Sequence, residues 1–145
     1  MRWGWAALAL FVGGPAVAEM PVAYRVTGDA VVQSLTGQRG DPLRGRDIVQ
    51  ARETGNCVLC HAVPLTAAPM FGNLAPGLAG IAARLNEGQL RLRVIDQTRL
   101  NENTVMPAYY RIDGLNRVAS AYRGKPILAA QQVEDVVAYL MTLRQ

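Results

Sequence analysis

The sequence predicts an all-α domain folded around one prosthetic group and preceded by an N-terminal extension. Three observations predict it. Near the C-terminus, Val133, Val136, Val137, Leu140 and Leu143 or Met141 recur at helical period from about Ala129 to Leu143. Upstream, Asp41 followed by Pro42 supplies an N-cap acceptor and then a proline at the first helical position, where its missing N–H costs nothing. Between these helices lies Cys57-Val58-Leu59-Cys60-His61, the Cys-x-x-Cys-His pattern by which c-type haem is attached.

The spacing of that pattern has a chemical reason. Two cysteines three positions apart share one face of a helical turn, so their thiols can add to the two vinyl groups along one edge of a porphyrin. His61 is then held beside the macrocycle as an axial ligand to the iron. Three other readings compete. A thioredoxin-like couple wants a βαβ context in a cytosolic chain. A structural zinc wants four ligands, and the chain owns two Cys and one His. A plain disulfide leaves the adjoining histidine as coincidence. Covalent haem is the reading that uses all three residues. One motif and no second histidine mean one haem and no bis-histidine ligation within the chain.

With 145 residues the chain is one modest domain. Arg2, the apolar run Trp3 to Val12, the Gly13-Gly14-Pro15 break and the small-residue site Ala16-Val17-Ala18 read as a signal peptide, residues 1–18, cleaved before Glu19. The apolar run is shorter than the roughly 20 residues a membrane span requires. Export and haem attachment agree, because ligation of haem to reduced thiols outside the cytoplasm points to a bacterial periplasm. Cleavage removes one arginine and no acid, taking the formal charge from +4 to +3. That charge makes no case for nucleic acid. Lys125 is the only lysine, so a lysine-ringed docking face is absent.

Residues 19–40 show no sustained helical period. Ala30-Val31-Val32 reads as a short strand, with Gly28, Gly37 and Gly40 as punctuation. Val22, Tyr24, Val26, Val31, Val32 and Leu35 are too apolar for a typical disordered tail, so this segment is expected to pack on the domain or on a partner. The helix opened by Asp41 should run to about Glu53, with Gly55 ending it and Gly45 leaving room for another helix to approach. Residues 62–80, with Pro64, Pro69, Gly72, Pro76, Gly77 and Gly80, form a loop. Ile81 to Leu85 is a short helix and Gln89 to Thr98 a longer one, with Leu90, Val94 and Ile95 facing inward.

A second chemical signal follows in Asn103-Thr104-Val105-Met106-Pro107-Ala108-Tyr109. A thioether is a soft neutral ligand suited to low-spin iron, and His/Met ligation raises the reduction potential. Pro107 keeps Met106 extended, so the sulfur can be presented without helical competition. The competing reading is a core methionine. Among the other methionines, Met20 sits at the mature terminus and Met141 in the final helix, while Met70 has little structure between it and His61 to form a pocket wall. Met106 is therefore the expected second ligand. The last helix lacks a Ser or Thr N-cap near Leu128, and its Tyr139 should pack near Gly45 where first and last helices cross.

The order helix, Cys-x-x-Cys-His, loops, Met-Pro and helix across residues 41–145 resembles class I cytochromes c. That resemblance implies a role for Pro76: Ala75-Pro76-Gly77-Leu78 is similar to the Gly-Pro-x-Leu whose proline carbonyl accepts the other ring N–H of the ligating histidine. Read by itself, Pro76 is equally a turn proline. Further strings resemble one branch, the SoxX family of small monohaem subunits of thiosulfate-oxidising SoxAX complexes. They are Gly40-Asp41-Pro42-Leu43-Arg44-Gly45-Arg46, Gly88-Gln89-Leu90-Arg91-Leu92-Arg93, Met106-Pro107-Ala108-Tyr109-Tyr110, and Pro126-Ile127-Leu128 leading into Val133-Glu134-Asp135-Val136-Val137-Ala138-Tyr139-Leu140.

The SoxX resemblance implies a heterodimer with a SoxA-like cytochrome subunit, whose own haem site joins thiosulfate to a cysteine on a SoxYZ-like carrier. It makes this chain the electron outlet toward a small acceptor cytochrome: a non-catalytic subunit of an enzyme complex, with Cys57, Cys60, His61, Met106 and Pro76 as its haem residues. No nucleophile is left over, because haem consumes both thiols. Within the same class the alternatives are a free monohaem shuttle, which would elute alone, and a subunit of another periplasmic dehydrogenase. A gas sensor or peroxidase would need an open sixth position on the iron.

Overall fold

The computed structural model describes residues 21–64 and 71–145. The expected signal peptide, together with Met20, Pro69 and Met70, lies outside the described residues. The described chain is helical and holds no β-strand, with α1 (Pro42–Gln50), α2 (Ile81–Arg84), α3 (Glu87–Asp96) and α4 (Ala130–Leu140). Among the described residues no helix is long and apolar enough to cross a membrane.

Helix α1 starts as its sequence dictates, with the Asp41 carboxylate accepting the N–H groups of Leu43 (2.8 Å) and Arg44 (3.3 Å). It ends at Gln50, short of the expected Glu53. The reason is local. Ala51 turns extended, and its carbonyl then accepts the N–H groups of Thr54 (3.2 Å) and Asn56 (2.9 Å), folding the chain back on the helix. Gly55 lies so close to the end of α1 that a Cβ there would stand 2.5 Å from the Ile48 carbonyl oxygen.

The first and last helices cross at Gly45, as expected. A Cβ at that position would sit 1.9 Å from the Asp135 carbonyl oxygen and 2.9 Å from Cβ of Tyr139. Helix α4 compensates for its missing Ser or Thr cap with Gln132, whose side-chain carbonyl turns back to accept the Ala129 N–H at 2.9 Å. Its Val133, Val136, Val137 and Leu140 are all buried. Past Leu140 the chain continues in tight turns, with Thr142 and Leu143 donating to the carbonyls of Tyr139 and Leu140.

Helix α3 begins two residues earlier than the expected Gln89 because Asn86 and Gln89 form a reciprocal capping box at 3.0 and 2.9 Å. It ends two residues before Thr98, where Asp96 caps a separate 3-10 turn over Gln97–Arg99 by accepting the Thr98 N–H at 3.1 Å. Leu90, Val94 and Ile95 face inward as expected. Helix α2 is one turn shorter than a stable helix wants, and the C-terminal segment holds it: Gly80 donates to the Gln145 carbonyl (2.7 Å) and Ala82 to that of Leu143 (3.0 Å).

The expected strand at Ala30–Val32 is absent. Thr27 and Ala30 instead close a turn on each other around Gly28 at φ +59°, and Val31 donates to the Gly88 carbonyl at 2.9 Å, so no partner strand is available. Residues 21–40 lie on this chain's own helices. Val31 and Leu35 enter the core, while Val32 is 70% exposed. A buried guanidinium fastens the segment: Arg91 donates to the Val31 carbonyl (2.8 Å) and grips Glu134 through Nε and Nη2 at 2.9 Å each. Glu134 in turn accepts the Leu35 N–H at 2.8 Å. Asp135 does the same one residue on, accepting from the Asp41 backbone (2.7 Å) and from Arg44 (2.8 Å).

Candidate haem-binding site

The motif is built as a 3-10 turn over Cys57–Leu59. Asn56, at φ +46°, swings the chain into it, a left-handed conformation that asparagine tolerates better than most residues. The Cys57 carbonyl accepts from both Cys60 (3.1 Å) and His61 (2.9 Å). In this tighter helix positions i and i+3 eclipse, which is why both thiols reach one cavity.

The following loop runs alongside the motif. Gly72 donates to the Val58 carbonyl (2.8 Å), Ala75 to Cys60 (3.0 Å) and Leu78 to Ala62 (2.8 Å). A side chain at position 72 would meet the Leu59 carbonyl oxygen at 1.8 Å, so glycine is what allows the first of these contacts. The pairing brings the Pro76 carbonyl oxygen to 2.7 Å from Nδ1 of His61. A carbonyl only accepts, so Nδ1 carries a hydrogen, and in the neutral ring the lone pair is on Nε2.

Met106 reaches the same cavity from the other half of the chain. Its N–H donates to the Thr104 hydroxyl at 3.1 Å, and Pro107 follows it. The next residues run along the end of α3, with Tyr109 donating to the Val94 carbonyl (3.3 Å) and Tyr110 to that of Ile95 (3.2 Å). Arg111 then reaches the fully buried Asp96 at 2.7 Å.

The cavity measures about 540 Å³. Leu78, Leu90, Val94, Leu128, Val136 and Leu140 are part of its apolar wall, and Cys57, Cys60, His61 and Met106 supply its reactive atoms. Burial pushes the Cys57 thiol up to about 11, against the lowering effect of the Tyr109 hydroxyl beside it. Burial, followed by the neighbouring Cys57, raises Tyr109 as well. The Tyr109 hydroxyl donates to the Gly55 carbonyl at 2.6 Å.

These residues fit a haem. Two thiols share one apolar cavity with a thioether and with an imidazole whose Nδ1 is engaged by the Pro76 carbonyl. A zinc site does not fit, since among the described residues no three His, Cys, Asp or Glu cluster as metal ligands. The five residues singled out from sequence are thus brought together, four on the cavity wall and Pro76 both on that wall and on His61. Tyr109 was not foreseen as part of the site. Its only sequence signal is an aromatic side chain three positions after Met106.

The fold and the site together define a c-type cytochrome. The cytochrome c family model matches residues 43–144, and the chain belongs to that family, carrying one covalently bound haem c. Within the family it is similar to a chain of SoxXA from P. pantotrophus, at 39% identity over 89% of this chain and 100% of that one, with a TM-score of 0.80. It is a SoxX-like monohaem cytochrome. No match was found among curated proteins.

Proposed function

We propose that this chain is the electron-transfer subunit of a periplasmic SoxAX-type complex. In that role it drains the electrons released when thiosulfate is conjugated to a cysteine of a SoxYZ-like carrier and hands them singly to a small acceptor cytochrome. Residues 1–18 are the export signal, residues 19–40 an extension and residues 41–145 the cytochrome domain. The partner is a SoxA-like cytochrome subunit. The observation that carries the reading is the similarity to a chain of SoxXA across 89% of this chain, and the donor set of the cavity is what that role needs.

In this reading Cys57 and Cys60 would hold the haem through two thioether links, and His61 and Met106 would supply its ligands to iron. The group they hold supplies a one-electron Fe(III)/Fe(II) couple. The chain's own residues do the rest. The Pro76 carbonyl, by accepting the Nδ1 hydrogen, fixes the tautomer and ring orientation of His61 and raises its basicity. The Met106 thioether favours the reduced state, and the apolar wall keeps water out and disfavours the more highly charged oxidised form, so both raise the potential. With His61 and Met106 both supplied by the protein, the group would be suited to electron transfer over inner-sphere chemistry.

The test is reconstitution. The exported holoprotein, co-expressed with a SoxA-like subunit, should co-purify with it, and its haem should be reduced when thiosulfate and a SoxYZ-like carrier are added. Elution of the chain alone, with no thiosulfate-dependent reduction in the mixed system, would refute the proposal.

A further inference from the structure

Tyr109 is tied to three separate parts of the molecule, and it follows Met106 by three residues. Its N–H donates to the Val94 carbonyl in α3 at 3.3 Å, and its carbonyl accepts from Leu128, just before α4, at 2.9 Å. Its side-chain hydroxyl reaches furthest, donating at 2.6 Å to the carbonyl of Gly55, two residues before Cys57. That last bond spans 54 positions of sequence, lies in the interior and joins the Met106 loop to the segment that carries the haem-attachment motif. The Tyr109 ring forms part of the same cavity wall as Cys57 and Met106.

The neighbouring bonds of the Met106 loop lead away from the motif. The Met106 N–H is satisfied locally by Thr104, and Arg111 ties the later part of the loop to Asp96 in α3, away from the motif. The backbone bonds of Tyr109 survive any side-chain substitution, so they set the path of the chain. The hydroxyl bond couples the position of the thioether to that of the covalently anchored edge of the cavity.

We propose that Tyr109 is a positioning residue for the Met106 ligand: its hydroxyl latches the distal loop to the Gly55 carbonyl and so sets how readily the thioether leaves the iron. The inference rests on the reading of Met106 as axial ligand. When the latch is missing, the loop is free to swing out for less, and an added ligand competes more effectively for the vacated position.

The experiment uses full-length ferric holoprotein and imidazole as the competing ligand, followed through loss of the weak red charge-transfer band of thioether-bound ferric iron. Tyr109→Phe keeps the ring and removes only the hydroxyl. It should raise apparent imidazole affinity by about fivefold, the equivalent of one net hydrogen bond. Val31→Ala serves as the comparison, since it destabilises the core at a residue of the extension outside the cavity. It should leave imidazole affinity unchanged. Equal affinity in Tyr109→Phe and parent, or an equal rise in Val31→Ala, overturns the latch while leaving Met106 as ligand. If the parent itself lacks the band and binds imidazole as tightly as Met106→Ala, the ligand assignment fails and the latch falls with it.

Discussion

Replacing Arg91 by alanine should cost more stability than any truncation of an apolar side chain in the extension. The Arg91 and Glu134 side chains are 1% and 2% exposed, and the guanidinium contacts both carboxylate oxygens of Glu134. Its Nη1 also donates to the Val31 carbonyl. Arg91→Ala therefore strands a buried carboxylate with one remaining donor, the Leu35 N–H, and leaves the Val31 carbonyl without its partner. Breaking a buried pair from one side costs about 3–5 kcal/mol. Against a typical total of about 5–15 kcal/mol, that is about a fifth or more of the folding free energy. The double replacement Arg91→Met with Glu134→Leu removes the stranded charge and should recover at least about 1 kcal/mol relative to Arg91→Ala. Urea denaturation of the oxidised holoprotein, followed by far-ultraviolet circular dichroism, measures all three. Trypsin cleavage after Arg39 should also accelerate in Arg91→Ala, because the segment before it loses its fastening. A loss below about 1 kcal/mol, or a double variant no more stable than Arg91→Ala, would refute the view that this pair pins the extension.

Two further outcomes follow from the site and from α4. Met106→Ala should keep its covalent haem, lower the reduction potential and let the ferrous protein bind carbon monoxide; a spectrum and potential identical to the parent would rule out Met106 as ligand. Asp135 is held below the usual carboxylate range: burial opposes this, but Arg44 and the Asp41 N–H, with Gln131, outweigh it. A depressed folded value means its contribution is present above the unfolded pKa of about 3.9 and is lost as pH falls through the folded value. Asp135→Asn should thus be less stable than the parent at pH 7 by about 1–3 kcal/mol and converge with it in acid, as measured by denaturation midpoints across pH.

The parts of this molecule that could be read from sequence are those fixed by neighbours in the chain. Asp41-Pro42 caps a helix whatever surrounds it, and the Cys57 to His61 pattern needs only one turn of backbone to put two thiols on one side. Even where boundaries moved, the cause was equally local, as in the Asn86–Gln89 capping box and the Ala51 carbonyl that gathers Thr54 and Asn56. Arg91, Glu134 and Asp135 were illegible for the opposite reason. Charges beside an apolar stripe normally mark a solvated helix face, and only the distant segment around Val31 and Leu35 turns that face into interior. The clue was the apolar extension itself, which had side chains to bury and no periodicity of its own to bury them with.

That covering matters to the site as well as to the fold. Helices α3 and α4 give Leu90, Val94, Val136 and Leu140 to the cavity wall, while Arg91 and Glu134, on the same two helices, hold the extension. A clamp across one face of a close-packed helix pair holds the two helices together, because interiors have few voids to absorb a separation. The extension thereby covers the far face of the two helices that line the pocket without touching the pocket. This gives a physical reason for a segment that electron transfer by a minimal domain would not require.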